Sequence, residues 1–195
     1  MVRQAMRKLL LARRRWAVSR RFGIKVPPSA FIAPGVHFDL NPDGFVVGGK
    51  LSIGENVRLC RGAILAPYGG SITLEDGVYV GPYAILYGHG GLRIGRDSMI
   101  AGHSFIVASN HQFDDSSIPV AYQPEKSLGI NIGNDVWIGA GAKILDGVTL
   151  GDRCVIGAGA VVTRSIDANM IAVGVPARVT GQRGSQVDGV PSATS

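Results

Sequence analysis

Four histidines, two cysteines and a short run of acids are the side chains of this 195-residue sequence best equipped for chemistry. His111 stands out by its company. Asn110 precedes it, and Asp114, Asp115 and Glu125 follow within fourteen residues. A neutral imidazole accepts a proton near pH 7 and serves as a general base toward a hydroxyl. A neighbouring carboxylate fixes its tautomer. A lone histidine is by itself a surface or hydrogen-bonded structural residue, and each of the three carboxylates is individually a solvated loop residue. His37, His89 and His103 read as structural or surface residues. Cys60 and Cys154 make no disulfide framework and lack zinc-site spacing, so they read as two reduced thiols.

The elements that must position His111 follow a six-residue period. Ile132, Ile138, Ile144, Leu150, Ile156 and Val162 recur without a break. The spacing returns in Ile94, Ile100, Ile106, in Leu74, Val80, Leu86, in Ile53, Leu59, Leu65 and in Ile32, Phe38. A second series of mostly small or β-branched residues lies two positions ahead: Val136, Ala142, Val148, Cys154, Ala160, and earlier Ser98 and Ser104. A helix needs a 3.6 period and does not tolerate 28 glycines with this much β-branching. A solenoid of short strands does: both series point inward, and glycine or asparagine-like residues turn the corners. Three units close a triangular coil, and stacked aliphatics form one core. Cys154 fits as an inward small residue.

Between Ile53 and Val162 the period breaks in three places. Leu65 to Leu74 spans nine residues, Leu86 to Ile94 eight, and Ile106 to Ile132 twenty-six. The last is a loop over 107–131 with His111 at its root. A loop of this length in a compact chain is usually a lid or binding element.

Charge is divided unevenly. Met1–Lys25 carries nine Lys and Arg and no acid, so the rest of the chain is slightly acidic and the net +6 is no argument for nucleic-acid binding. Val2–Arg21 reads as an amphipathic helix of Val2, Met6, Leu9, Leu10 and Trp16 among arginines. Its longest apolar run, Leu9–Ala12, is too short for a secretory signal. Three readings stay open: packing against the body or a sister subunit, contact with an anionic membrane face, or a solvated arm. The expected organisation is a basic helix over 1–25, a solenoid over 26–180 and a flexible tail over 181–195. No apolar run is long enough for a transmembrane helix.

Three stretches together carry a resemblance: Ile132-Gly-Asn-Asp-Val-Trp-Ile-Gly139, Gly157-Ala-Gly-Ala-Val-Val-Thr163 and Gly174-Val-Pro-Ala-Arg-Val179. With the repeat over about 29–165, they resemble the hexapeptide-repeat acyltransferases, most of all the sugar and polysaccharide O-acetyltransferase branch. The resemblance implies an all-β fold, a single-stranded left-handed parallel β-helix with a short N-terminal helix and a long excursion loop. It implies transfer of an acetyl group from acetyl-CoA, as co-substrate and without a metal, to a hydroxyl of a sugar or surface-polysaccharide precursor. His111 matches the family's catalytic base. Trp137, Gly139, Ala140, Gly157, Ala158, Thr163, Arg164 and Arg178 match positions along the coenzyme, and the Ala140 backbone N–H matches the oxyanion donor. Arginine suits the coenzyme's phosphate because it donates in a fork; ordinary surface charge is the equal alternative for Arg164 and Arg178. Gln123 resembles a glutamine common in the polysaccharide-modifying relatives. A homotrimer with sites between protomers is expected, and a cytoplasmic location; the membrane reading of residues 1–22 would add peripheral contact at the inner membrane face.

Other functions remain in play. The acceptor could be an antibiotic, a serine or a sugar amine, and the solenoid could be a scaffold without activity. A carbonic-anhydrase-like hydratase of the same fold needs two histidines five apart, whereas the gaps here are 52, 14 and 8.

Overall fold

The computed structural model describes residues 2–40 and 48–184. The six-residue period becomes a parallel β-helix of three flat faces. Face one stacks strands beginning at Phe31, Arg58, Tyr79, Met99, Trp137, Val155 and Met170, the last paired antiparallel with Arg178–Gln182. Face two stacks His37–Phe38, Ile64–Ala66, Ile85–Tyr87, Phe105–Val107, Lys143–Ile144 and Val161–Val162. Face three stacks Lys50–Ile53, Ser71–Leu74, Leu92–Ile94, Ile130–Ile132 and Thr149–Leu150. The chain visits faces one, two and three in that order on each coil. In-register pairs such as Ile100↔Ile138 and Ile138↔Ile156 place like residues above one another.

Burial explains why the period has six residues. Ile100, Ile106, Ile132, Ile138, Ile144 and Leu150 are wholly buried in one continuous core. Each contributes roughly 1.5–3 kcal/mol by leaving water. The small series is buried beside them, because the interior of a triangular coil has no room for two large side chains per face. Ser98 and Ser104 are admitted because their hydroxyls donate to the carbonyls of Gly133 and Gly139, at 2.9 and 3.1 Å. Cys154 is buried as expected, its thiol bonded to the Asp167 carbonyl at 2.9 Å, and burial pushes the thiol's pKa up.

The corners repeat as well. Between faces one and two, left-handed backbone is taken by Gly62, Tyr83, His103, Gly141 and Gly159. Gly139 answers a different need: a Cβ there would lie 2.6 Å from the Ala158 nitrogen of the next coil.

The helix runs over Val2–Phe22. Its second half meets the first coil: Val18 packs on the core, Ser19 Oγ donates to the Ile24 carbonyl at 2.6 Å, and Arg15 reaches the Ala30 carbonyl at 3.4 Å. At the other end, order extends past the expected boundary at 180. The last strand reaches Gln182, and Arg183 donates to the Asp135 carboxylate at 2.8 Å, a bond the composition of the tail did not announce. The remainder of the expected tail, 185–195, lies outside the described residues.

Candidate functional site

All three breaks in the period fall on one edge, between faces two and three. The insertion at Pro67–Gly70, the one at Gly88–Gly91 and the long excursion after Val107 each leave the coil just after a face-two strand. Stacked, they build a cleft of about 840 Å³ whose lining includes Tyr68, Tyr87, His89, His111, Phe113 and Glu125.

The excursion is an ordered structure in its own right. Asn110–His111 pairs antiparallel with Glu125–Lys126, and the register sets His111 opposite Glu125. The Glu125 carboxylate spans two imidazoles: one oxygen is 3.6 Å from His111 Nε2, the other 3.9 Å from His89 Nε2. Two anchors hold this hairpin. The buried Gln123 side chain donates to the carbonyls of Asp115 and Ile118, both at 2.8 Å, and accepts from the Asp115 amide at 3.3 Å. Asp146 accepts the amides of Leu128 and Gly129 at 2.8 Å, tying the loop's return to the next coil. Gln123 thus has a structural task that its sequence position alone left open.

Of the three carboxylates considered for orienting His111, Glu125 faces it. Asp114 lines the cleft without a bond to the ring. Asp115 is turned to its own loop, where the Ser117 hydroxyl and amide hold its carboxyl below the ordinary range.

His89 departs from its expected structural or surface role. It lines the cleft, with only 18 % of its side chain exposed. Its ring lies 4.7 Å from that of Tyr68 and 5.9 Å from that of Tyr87, and its Nδ1 is buried without a partner. Burial lowers its pKa, with His111 adding to the effect, against the pull of Glu125 and Asp146. Burial, with Tyr87 and Asp39 close by, raises the Tyr68 hydroxyl to about 12, so this side chain stays uncharged. No sequence rule singled out His89 or Asp146; the one clue was that His89 sits in the break from Leu86 to Ile94. His103 lies on another edge, stacked on Tyr83 with ring centroids 5.4 Å apart. His37 is exposed on the first coil.

The positions matched to the coenzyme divide between two edges. Thr163 lines the cleft of His111, and Arg164 follows it, exposed. Gly139, Ala140, Gly157 and Ala158 lie on the edge between faces one and two, with Trp137 half exposed on face one. Arg178 opens the final antiparallel strand on face one. Ala140 and Ala158 are exposed one above the other, bound through the Gly159 amide and Ala140 carbonyl at 2.8 Å. Open space lies where Gly141 and Gly159 would carry a Cβ. This is a smooth ledge with bare backbone. Within one chain it is separated from His111 by the width of face two, about 16 Å for five extended residues. Gly139 and Gly157 are glycine for coil packing, since a Cβ on Gly157 would lie 2.7 Å from Val173 Cγ1.

Among the described residues no group of three or more His, Cys, Asp or Glu side chains is placed to hold a metal ion.

Comparison with known proteins places this geometry. Residues 129–164 match the family model described as bacterial transferase hexapeptide (six repeats). The chain is 33% identical over 139 residues to the putative lipopolysaccharide biosynthesis O-acetyl transferase WbbJ of Escherichia coli, covering 67% of this chain and 71% of that protein. It is 31% identical over 153 residues to the probable acetyltransferase Rv3034c of Mycobacterium tuberculosis, spanning 78% of this chain and half the length of that relative. Among solved structures, a variant of AntD, an N-acyltransferase from Bacillus cereus in complex with dTDP and coenzyme A, superposes with a TM-score of 0.65. That match has 26% identity and covers 78% of this chain and 84% of the other. The repeat, the three-faced coil with its long excursion, and these relatives agree: the chain belongs to the hexapeptide-repeat acyltransferases, and its fold is their left-handed parallel β-helix.

Proposed function

We propose that the protein is an acetyl-CoA-dependent O-acetyltransferase whose acceptor is a hydroxyl of a sugar or surface-polysaccharide precursor. The observation that carries this reading is the His111–Glu125 pair, set across a hairpin at the mouth of an aromatic-walled cleft. The acceptor hydroxyl oxygen attacks the thioester carbon while His111 takes its proton. The ring nitrogen facing Glu125 carries a proton already, which leaves the other to accept, and the carboxylate stabilises the imidazolium that forms. The tetrahedral intermediate then collapses, the carbon–sulfur bond breaks, and the imidazolium returns the proton to the coenzyme thiolate. Products are the acetyl ester and free coenzyme A.

The chain offers a seat that fits the coenzyme. A pantetheine arm needs a smooth surface with accessible backbone groups, and the ledge of Ala140, Gly141, Ala158 and Gly159 has both. Trp137 and Arg178 lie on the face that the ledge adjoins. The seat and the base occupy different edges, so we place the complete site between two copies of the chain, in a cyclic homotrimer. Exposed apolar side chains on the excursion, Phe113, Tyr122 and Leu128, support an interface there.

Likeness to AntD, an N-acyltransferase also solved with dTDP-4-amino-4,6-dideoxyglucose and coenzyme A, favours a second reading, acyl transfer to a sugar amine. The two separate by experiment. Purified protein is given acetyl-CoA with nucleotide-linked and free sugars, in hydroxyl and amino forms, and thiol release is followed. Turnover on hydroxyl acceptors that fails in His111→Ala supports the first reading. Turnover confined to amino sugars, or undiminished in the variant, overturns it.

A further inference from the structure

We infer that the N-terminal helix docks the protein on an anionic lipid surface through the side turned away from the β-helix. The helix has two sides with different occupants. Val18, Arg15 and Ser19 face the first coil through the contacts described above. On the opposite side Met6, Leu9, Leu10 and Trp16 fall within one stripe at helical spacing. These four are 51–62% exposed, in a molecule whose β-helix buries nearly every aliphatic of its repeat.

Charge selects the occupant. The leader holds nine basic residues and no acid, while the rest of the chain carries a net negative charge. A second copy of the same helix would bring like charges together. A nucleic acid would use the arginines and leave the apolar stripe in water. An anionic bilayer satisfies both: Leu and Met enter the acyl boundary, tryptophan sits at the headgroup level, and arginine heads reach the phosphates. Arg20 already lies over the Trp16 ring at 5.2 Å, so the aromatic and the charge are presented together. The helix is not long and apolar enough to cross a membrane, so the contact is with the surface. Docking in this way holds the β-helix beside the bilayer, within reach of acceptors carried there.

The test is co-flotation of the full-length protein with vesicles, which does not depend on acetyl transfer. Vesicles of phosphatidylcholine with phosphatidylglycerol are compared with pure phosphatidylcholine, at low and high salt. The bound fraction is expected to be at least tenfold higher on the anionic vesicles, to fall with salt, and to drop at least tenfold in Leu9→Glu/Trp16→Glu. The same variant keeps its melting temperature and any activity on soluble acceptors. Equal binding to neutral vesicles, or none to either, overturns the proposal. So does a smaller oligomer in the variant, which gives the stripe to a second copy. Tight binding to duplex DNA that survives the double substitution, with none to vesicles, overturns it as well.

Discussion

The two edges that flank face two are made from one repeating unit, yet they have diverged completely. The edge between faces one and two has no insertion in any described coil, and its corners are glycine, alanine or single left-handed residues. The edge between faces two and three carries every insertion, and with them His89, His111, Glu125 and Tyr68. Backbone stacking forces glycine at 139, because a side chain there would strike the next coil; the first edge is smooth at Gly141 and Gly159, whereas Tyr83 and His103 occupy the equivalent corners of earlier coils. The second edge meets the same constraint at Gly70, Gly88 and Gly90, where a Cβ would lie 2.1–2.6 Å from neighbouring backbone, but the longer path of the chain there also carries Tyr68 and His89 to the cleft. A solenoid can thus carry a smooth ledge on one edge and titratable groups on another, which the proposed reading joins between neighbouring copies.

That division is open to direct attack. The largest effect expected is complementation. His111→Ala lowers kcat by about 10²–10⁴. Ala140→Phe, which fills the ledge, raises the KM for acetyl-CoA by roughly tenfold or more, about 1.4 kcal/mol of binding. Copies of the two variants unfolded and refolded together regain activity at roughly a quarter of the sites if base and seat come from different copies. No recovery above the sum of the two variants would place both halves in one chain.

Next is the core that both edges share. Ile144→Ala, between the ledge and the cleft, costs about 2–5 kcal/mol in denaturant unfolding. A loss below 1 kcal/mol would mean that the coils are not one cooperative stack. Gly139→Ala and Gly141→Ala separate two reasons for glycine. The first meets backbone and lowers the melting temperature more; the second meets open space and bears only the strain of its left-handed backbone, about 1–2 kcal/mol. Equal losses would remove the close-stacking argument for the smooth edge.

The smallest effect concerns acid. His89 is held below its ordinary pKa by burial, among Glu125, Asp146, His111, Tyr68 and Tyr87. The unfolded chain, with His near 6.5, then binds a proton that the folded cleft refuses. Stability is therefore level above about pH 7 and declines as pH falls through about 6.5 toward the folded value. His89→Gln flattens this decline. Parallel melting curves for the two proteins between pH 8 and 5 would show that His89 is not the source.

Much of this is legible in the sequence alone. The aliphatics at six-residue spacing from Ile32 to Val162 all lie inside, because a strand's alternation and a fixed corner length leave no other place for them. The long excursion was visible as a gap from Ile106 to Ile132, and His111 as the titratable residue at its root. Glu125 was one acid among three until the hairpin register set it opposite His111. His89 read as a bystander, because what matters is which coil edge its insertion joins.

The linear order of residues determined the period, and the period determined coil, core and the places where the chain departs from them. These are local consequences of side-chain size and backbone dihedrals, so they follow from spacing alone. Only the tertiary structure decided that three separate insertions share one edge, that Glu125 lies 3.6 and 3.9 Å from two imidazoles, and that the helix turns its apolar stripe, with Arg13 and Arg20 among it, outward. Those facts depend on contacts between residues far apart in the chain, and they are settled by how the coils stack.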